Sequence, residues 1–284
     1  TPHKNSPFNI LNEYGFFPEN LQTQSVSITL EIAYNDWCLS QMAQSLGRID
    51  DYKFFLNRSK SYYNLFDKTI GFFRAKDNKG DWIEPFDPLK YGGNGGYPFT
   101  EGNGWQYLWY VPHDVYKFIE LVGGDREFSL KLDKFFTLDA RPEDVNGNAS
   151  GFIGQYAHGN EPSQHIIYMY NFINEPWKAQ FYSAKVLNEQ YTILPSGYSG
   201  NEDCGQMSAW YILSAMGFYP LNPANGIYCI GSPQLERAVI HLDNGNKFTI
   251  TTKNSKKDNI YIQSAKLNDK EYSKSYITHK DITE

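Results

Sequence analysis

Cysteine is scarce in this chain. Its 284 residues include three, Cys38, Cys204 and Cys229, and none stands at the zinc-like or CxxC spacing of a structural zinc cage or a redox pair. An odd count also leaves at least one thiol without an intrachain partner, and the compartment is not fixed by it. No apolar run approaches the roughly 18 residues of a membrane-spanning helix. The segment Thr1-Pro2-His3-Lys4 lacks the charged and apolar regions of a signal peptide, which leaves open a signal already removed or one carried by a longer parent. Basic runs are missing too. With 26 basic against 32 acidic residues and a net charge of −6, nothing in the chain is built to neutralise phosphates, and nucleic acid is excluded as the expected partner. The glycine-rich stretch Tyr91-Gly92-Gly93-Asn94-Gly95-Gly96-Tyr97 lacks the Lys-Ser/Thr of a P-loop and reads as a flexible loop.

What is present is an ordinary globular balance, 40% hydrophobic and 20% charged, with an unusual aromatic share. Phenylalanine, tyrosine and tryptophan make up 17% of the residues. Such rings fill the cores of helical proteins, and they also stack on the C–H faces of sugars. The rings beside acidic loops are therefore the informative ones. Three such loops recur: Thr100-Glu101-Gly102-Asn103-Gly104-Trp105-Gln106-Tyr107, His158-Gly159-Asn160-Glu161-Pro162-Ser163, and Ser199-Gly200-Asn201-Glu202-Asp203-Cys204-Gly205-Gln206. Each sets an acid in a Gly/Asn-rich turn that runs into an apolar helix, and three loops of one design are expected to serve one shared site.

Apolar spacing predicts a helix from Ser25 to Leu46 closed by Gly47, and a second from Asp50 or Asp51 to Leu65. A long loop follows from Asp67 to Thr100, whose interior Trp82, Phe86 and Tyr97 favour a functional role. Helices are then predicted over 104–122, kinked or restarted at Pro112, and over 125–136, 163–172, 175–191 and 204–216. Beyond Pro220 the pattern turns to strands at 226–230, 237–242 and 247–252, with Tyr261 to Ala265 continuing the sheet. The fold class expected is mainly α with a C-terminal β region: helix pairs linked by long loops over 1–220, and a β-rich portion over 221–284.

With the three acidic loops, the segments Tyr34-Asn35-Asp36-Trp37-Cys38, Gly80-Asp81-Trp82-Ile83-Glu84-Pro85-Phe86-Asp87-Pro88, Val111-Pro112-His113-Asp114 and Gly154-Gln155-Tyr156-Ala157-His158 resemble, in the same order, the calcium-dependent exo-acting α-mannosidases of glycoside hydrolase family 92. Seven segments in register are far more specific than one motif. The resemblance implies an N-terminal β-sandwich followed by an (α/α)6 toroid, in enzymes more than twice this length. About seven predicted helices do not complete twelve, so the chain reads as a C-terminal fragment holding a partial toroid, its N-terminal domain missing. It further implies an inverting enzyme cleaving α-1,2-linked mannose from glycans in a periplasmic or secreted setting. An activity built between two domains would be impaired in the fragment alone, and the helices left uncovered would promote self-association.

Carried over by motif, Glu101 is implied as the general acid and Asp203, with Glu202 beside it, as the base. Neighbouring Trp105 and Tyr107 are expected, from their proximity in sequence, to desolvate that acid, and Trp105 is also a candidate sugar contact. A calcium ion touching two sugar hydroxyls is implied as cofactor, with Asn160, Glu161, Glu202 and Asp203 as candidate oxygen donors; the spacing does not match an EF-hand. His158 and Glu161 resemble sugar contacts, while His165 is equally a capping histidine. Trp82, with Asp81 and Glu84, is a candidate for the pocket wall, although loop-packing tryptophans are common. The plain alternative for Glu101, Glu202 and Asp203 is a carboxylate stabilised at a helix N-terminus. Two other functions compete: a non-catalytic carbohydrate-binding module, and a toroid polysaccharide lyase, which would leave an unsaturated product absorbing in the ultraviolet.

Overall fold

The computed structural model describes residues 7–93, 98–140, 149–254 and 258–284. Tyr97, the end of the glycine-rich stretch and the chain's first residues lie outside the described residues. The fold is predominantly helical, with small antiparallel sheets toward the C-terminus. It divides into two compact units, Thr1–Tyr156 and Ala157–Glu284.

The first unit opens with α1 (Pro7–Tyr14), α2 (Ser25–Ser45) and α3 (Ile49–Arg58), followed by a 3-10 turn over Ser61–Leu65. Helix α2 forms where the spacing predicts it, yet its buried stripe is mostly small and polar: Ser25, Ser27, Thr29, Ala33, Asp36, Ser40 and Ala43. Buried Asp36 is held bidentately by Arg58, at 2.7 and 2.8 Å, and Arg58 also donates to Asn12 at 2.9 Å. A buried carboxylate needs such a partner, and the fork geometry of arginine supplies it. One charge thus ties α1, α2 and α3 together. The other side of the pair carries Leu39, Met42, Leu46, Ile49 and Phe54, all exposed.

Strands β1 (Phe66–Asp67) and β2 (Phe72–Phe73) pair antiparallel and lead into the long loop. The expected helix over 104–122 is two helices, α4 (Gly104–Tyr107) and α5 (Val115–Val122), separated around Pro112, which cannot donate to a helical carbonyl. After α6 (Asp125–Thr137) come β3 (Phe152–Ile153) and β4 (Tyr156–Ala157). Aromatics make this core. Trp109 meets Phe128 edge to face at 5.3 Å, Phe118 meets Phe128 at 5.6 Å, and Phe73 stacks on Phe118 at 5.9 Å, so these rings are spent on packing.

The second unit contains α7 (Glu161–Gln164), a 3-10 run over Ile166–Ile173 where an α-helix was expected, α8 (Pro176–Glu189) and α9 (Gln206–Met216). Strands β5 (Phe218–Asn222), β6 (Ile227–Ile230), β7 (Arg237–His241), β8 (Lys247–Thr251), β9 (Lys266–Leu267), β10 (Lys270–Glu271) and β11 (Tyr276–Thr278) follow, then α10 (His279–Thr283). They form a three-stranded sheet in the order β11-β6-β5 and two hairpins, β7-β8 and β9-β10. Residues 261–265, expected to continue the sheet, are irregular; the Ile262 amide donates to the Gln180 side chain at 2.9 Å rather than to a strand. Phe218, Ile277 and Ile282 form a separate small core, with Ile240, Phe248 and Ile250 packed against it. All three cysteines are free thiols.

Candidate active site

In the first unit the Glu101 loop is held at four points. The amide of Thr100 donates to the Ser27 hydroxyl at 2.7 Å, and the Gly92 amide donates to the Gly102 carbonyl at 2.7 Å. The Tyr91 hydroxyl donates to the backbone carbonyl of Glu101 itself. Behind it, Asn103 and Gln106 form a capping box at the start of α4, the Asn103 side chain accepting from the Gln106 amide and the Gln106 side chain from the Asn103 amide. That arrangement satisfies the first helical N–H groups by reciprocal side chains. Gln155 completes the hold. It accepts from Asn103 at 2.9 Å, its carbonyl accepts from Gln106 at 3.1 Å, and its own amide group donates to the carbonyls of Asp139 and Leu138. The turn that delivers Gln155 passes so close to α6 that a Cβ on Gly154 would lie 2.4 Å from the Phe136 carbonyl carbon.

Glu101 has φ 47, a left-handed conformation that non-glycine residues adopt at a cost and that concentrates at functional loops. Trp105 is buried, its ring edge to face with Phe72 at 4.9 Å. Trp82 is half-buried, with the Lys76 ammonium 4.2 Å from its ring centroid and the Arg74 guanidinium at 5.3 Å. Asp81 and Glu84 are exposed, and Glu84 pairs with Arg74.

In the second unit the structure brings the His158 and Glu202 loops together. His158 is fully buried, with Nε2 2.7 Å from the Tyr191 hydroxyl and its ring 4.4 Å from Trp210. Tyr191 in turn donates to the Met207 carbonyl at 3.1 Å, in the first turn of α9. A second bridge runs from Gln206 to Gln164 at 2.8 Å and from Trp210 to the Gln164 carbonyl at 3.2 Å. Burial pushes the His158 imidazole down to about 3, so it is neutral at physiological pH. Burial pushes the Tyr191 phenol well above its ordinary value, and the carboxylate of Glu202 adds to this.

Asp203, Cys204 and Gly205 form a left-handed run, with φ 51, 57 and 96, immediately before α9. Glu202 is half-buried and accepts from the Ser208 amide at 3.3 Å, while Asp203 is exposed. Asn160 and His165 are buried, and Glu161 is exposed at the first position of α7. Among the described residues no three His, Cys, Asp or Glu side chains cluster closely enough to hold a metal ion, so the four candidate donors do not make a calcium cage on their own; a hard cation asks for about six to eight oxygens.

Sequence reasoning gave no role to Tyr191, Gln155 or Gln164. Asn103 and Gln106 carried a readable signal, the N-x-x-Q form of a capping box. The partners of Tyr191 and Gln155 are distant in the chain, and no local pattern marks them.

A helical catalytic scaffold with acids presented on strained loops is the class these features define. The signature of the glycosyl hydrolase family 92 catalytic domain matches residues 2–284, and the chain belongs to that family. It is 42% identical to a family 92 α-mannosidase of Bacteroides thetaiotaomicron solved with mannoimidazole, with a TM-score of 0.94 over 99% of this chain and 38% of that one. A family 92 inverting mannosidase of the same bacterium is 36% identical, with a TM-score of 0.87, over 99% of this chain and 40% of that one. A curated relative, an uncharacterized secreted glycosidase of Arthroderma benhamiae, is 28% identical over 94% of this chain and 35% of its own length. The chain thus spans well under half the length of these relatives.

Proposed function

We propose that this chain is the later part of an exo-α-mannosidase that works by inversion on α-1,2-linked mannose of glycans, exported to a secreted or periplasmic setting. In this reading residues 1–220 are the later helices of an (α/α)6 toroid and 221–284 its C-terminal β-rich region, completed by an N-terminal domain elsewhere in the longer protein. The exposed α2–α3 stripe through Met42 and Phe54 is then a surface that further helices cover. In the isolated piece it promotes self-association.

Inversion needs a protonated carboxyl for the departing oxygen and a carboxylate to activate water on the opposite face, about 6.5–9.5 Å apart. Glu101 is the proton donor and Asp203 the base, with Glu202 holding the first turn of α9 in place beside it. The observation that carries the assignment of Glu101 is that Asn103, not Glu101, caps the helix behind it, on a loop whose left-handed turn is clamped from four directions. Glu161 is a candidate sugar contact at an exposed helix start. His158, buried against Tyr191 and Trp210, serves as a positioning residue, and His165, seven residues further on at the end of α7, is a candidate sugar contact. Trp105 stiffens the loop from beneath, and Trp82 lines the outer part of the long loop. Calcium dependence belongs in this reading to the longer protein, where further oxygen donors join Asn160, Glu161, Glu202 and Asp203.

The test is hydrolysis of α-1,2-mannobiose by the longer protein, followed by NMR. β-Mannose is expected as the first product, with activity lost on chelation and restored by calcium. α-Mannose first would overturn the inverting assignment. Binding of mannose without turnover would favour a carbohydrate-binding module, and an unsaturated product would favour a lyase.

A further inference from the structure

The residue before Glu101 is hydrogen-bonded to one face of α2, and the ring lying beneath the residue after it reaches the same face. Ser27 and Glu31 stand four positions apart on that helix, which places them one above the other on the same face. Ser27 accepts the amide of Thr100 at 2.7 Å. Glu31 accepts the hydroxyl of Tyr107, a long contact at 3.4 Å. The Tyr107 ring is buried, stacked at 6.0 Å on Phe99, and lies so close beneath Gly102 that a Cβ there would sit 3.1 Å from a ring carbon. The N-terminus of α2 meets the same loop, since the amides of Val26 and Ser27 both donate to the Pro98 carbonyl at 3.1 Å. Whatever tilts Tyr107 therefore tilts Gly102, and with it the backbone from which Glu101 projects.

Resting on the assignment of Glu101 as proton donor, we propose that Glu31 is a positioning residue for it, acting through the Tyr107 ring beneath Gly102. Nothing in the motif around Glu101 points to Glu31, which lies 76 positions from Tyr107. Burial pushes the Glu31 carboxyl above its ordinary value, toward the neutral form that glutamine imitates in shape and in its acceptor oxygen. This gives the proposal a conservative rescue: Gln keeps the acceptor for Tyr107, and Ala removes it.

The experiment uses the longer protein with Glu31→Ala, Glu31→Gln and Tyr107→Phe, and reads two quantities. The first is kcat and KM on α-1,2-mannobiose and on a mannoside with a good leaving group. A misaligned proton donor costs about 10–100-fold, so Glu31→Ala is expected to lower kcat on mannobiose by that factor with KM little changed. The loss should be smaller on the activated substrate, Glu31→Gln should recover most of it, and Tyr107→Phe should resemble Glu31→Ala. The second is amide hydrogen exchange over residues 100–103, expected to quicken in Glu31→Ala and Tyr107→Phe and to return in Glu31→Gln. Unchanged exchange in Glu31→Ala overturns the proposal, as does an equal loss of kcat on both substrates. If the parent hydrolyses no mannoside, the mannosidase reading fails, while the exchange measurement still decides whether Glu31 holds the loop.

Discussion

The Glu101 loop and the Glu202–Asp203 loop look alike in sequence and are built differently. Both lead into a helix, and both place a carboxylate residue in the left-handed region, Glu101 with φ 47 and Asp203 with φ 51. At the first, a dedicated capping box of Asn103 and Gln106 serves α4. At the second, α9 has no side-chain cap at Gly205, and Glu202 reaches Ser208 instead, at 3.3 Å to the amide and 3.3 Å to the hydroxyl. The ordinary explanation of an acid at a helix start describes Glu202 well. At α4 the capping task falls to Asn103 instead, and in the proposed reading Glu101 serves the chemistry.

The sharpest test of this contrast is kinetic. In the longer protein, Glu101→Gln is expected to slow hydrolysis of unactivated mannobiose by about 10²–10⁴-fold, the usual share of general acid catalysis. The loss should shrink on a substrate with a good leaving group. Asp203→Asn should impair both substrates, because water activation on the other face does not depend on the leaving group. Equal losses for Glu101→Gln on the two substrates would break the comparison.

Next in size is an acid sensitivity carried by one buried histidine in each unit. His158 is held down to about 3 and His113, in the first unit, to about 4, both by burial from an ordinary value of 6.5. Each imidazole is neutral when folded, and the unfolded chain takes up the proton first. Stability is therefore fully present above pH about 6.5 and is lost as pH falls toward the folded values. Denaturant midpoints measured between pH 7 and 4 should decline, and His158→Gln should flatten that slope even if it lowers the starting value. An unchanged slope would mean that His158 is not the buried neutral group described here.

Smaller effects test the caps themselves. Asn103→Ala should cost about 0.5–2 kcal/mol in urea unfolding, the range for a lost N-cap, and more than Glu101→Ala, which removes no cap. Glu202→Ala should cost about 0.3–1 kcal/mol, as for an acid lost from a helix N-terminus, toward the lower end given its long hydrogen bonds. A larger loss for Glu101→Ala than for Glu202→Ala would reverse the roles assigned to the two loops.

Long elements were readable because their patterns are local. Helix α2 announces itself through twenty residues of helical spacing and Gly47, and the β7-β8 hairpin through alternation around the turn at 243–246. The break between α4 and α5 was half visible in Pro112; its width was not, since residues 108–114 are shaped by the burial of Leu108, Trp109 and Val111 in the aromatic core. The 3-10 run over Ile166–Ile173 carries the same apolar signal as an α-helix, and only packing distinguishes them. Helices α1 and α10 are short, and their eight and five residues gave too little periodicity to register. At the site, the acids stood out by their setting in Gly/Asn turns. Glu31, Tyr191 and Gln155 did not, because each acquires its role from a partner brought near only by folding.

Gln155 also sets an order of events. Its partner Asn103 lies 52 residues earlier, and the helices α5 and α6 fall between them, so the Glu101 loop cannot reach its final hold until that whole stretch has been made and turned back. Contacts of such separation form after local ones. During synthesis, α2 and α3 can pair while the chain is still short, but the loop proposed to donate the proton matures only when residue 155 has emerged, next to last in its unit. A truncation just before Gly154 would retain every residue of the Glu101 motif and still lack the clasp that shapes it.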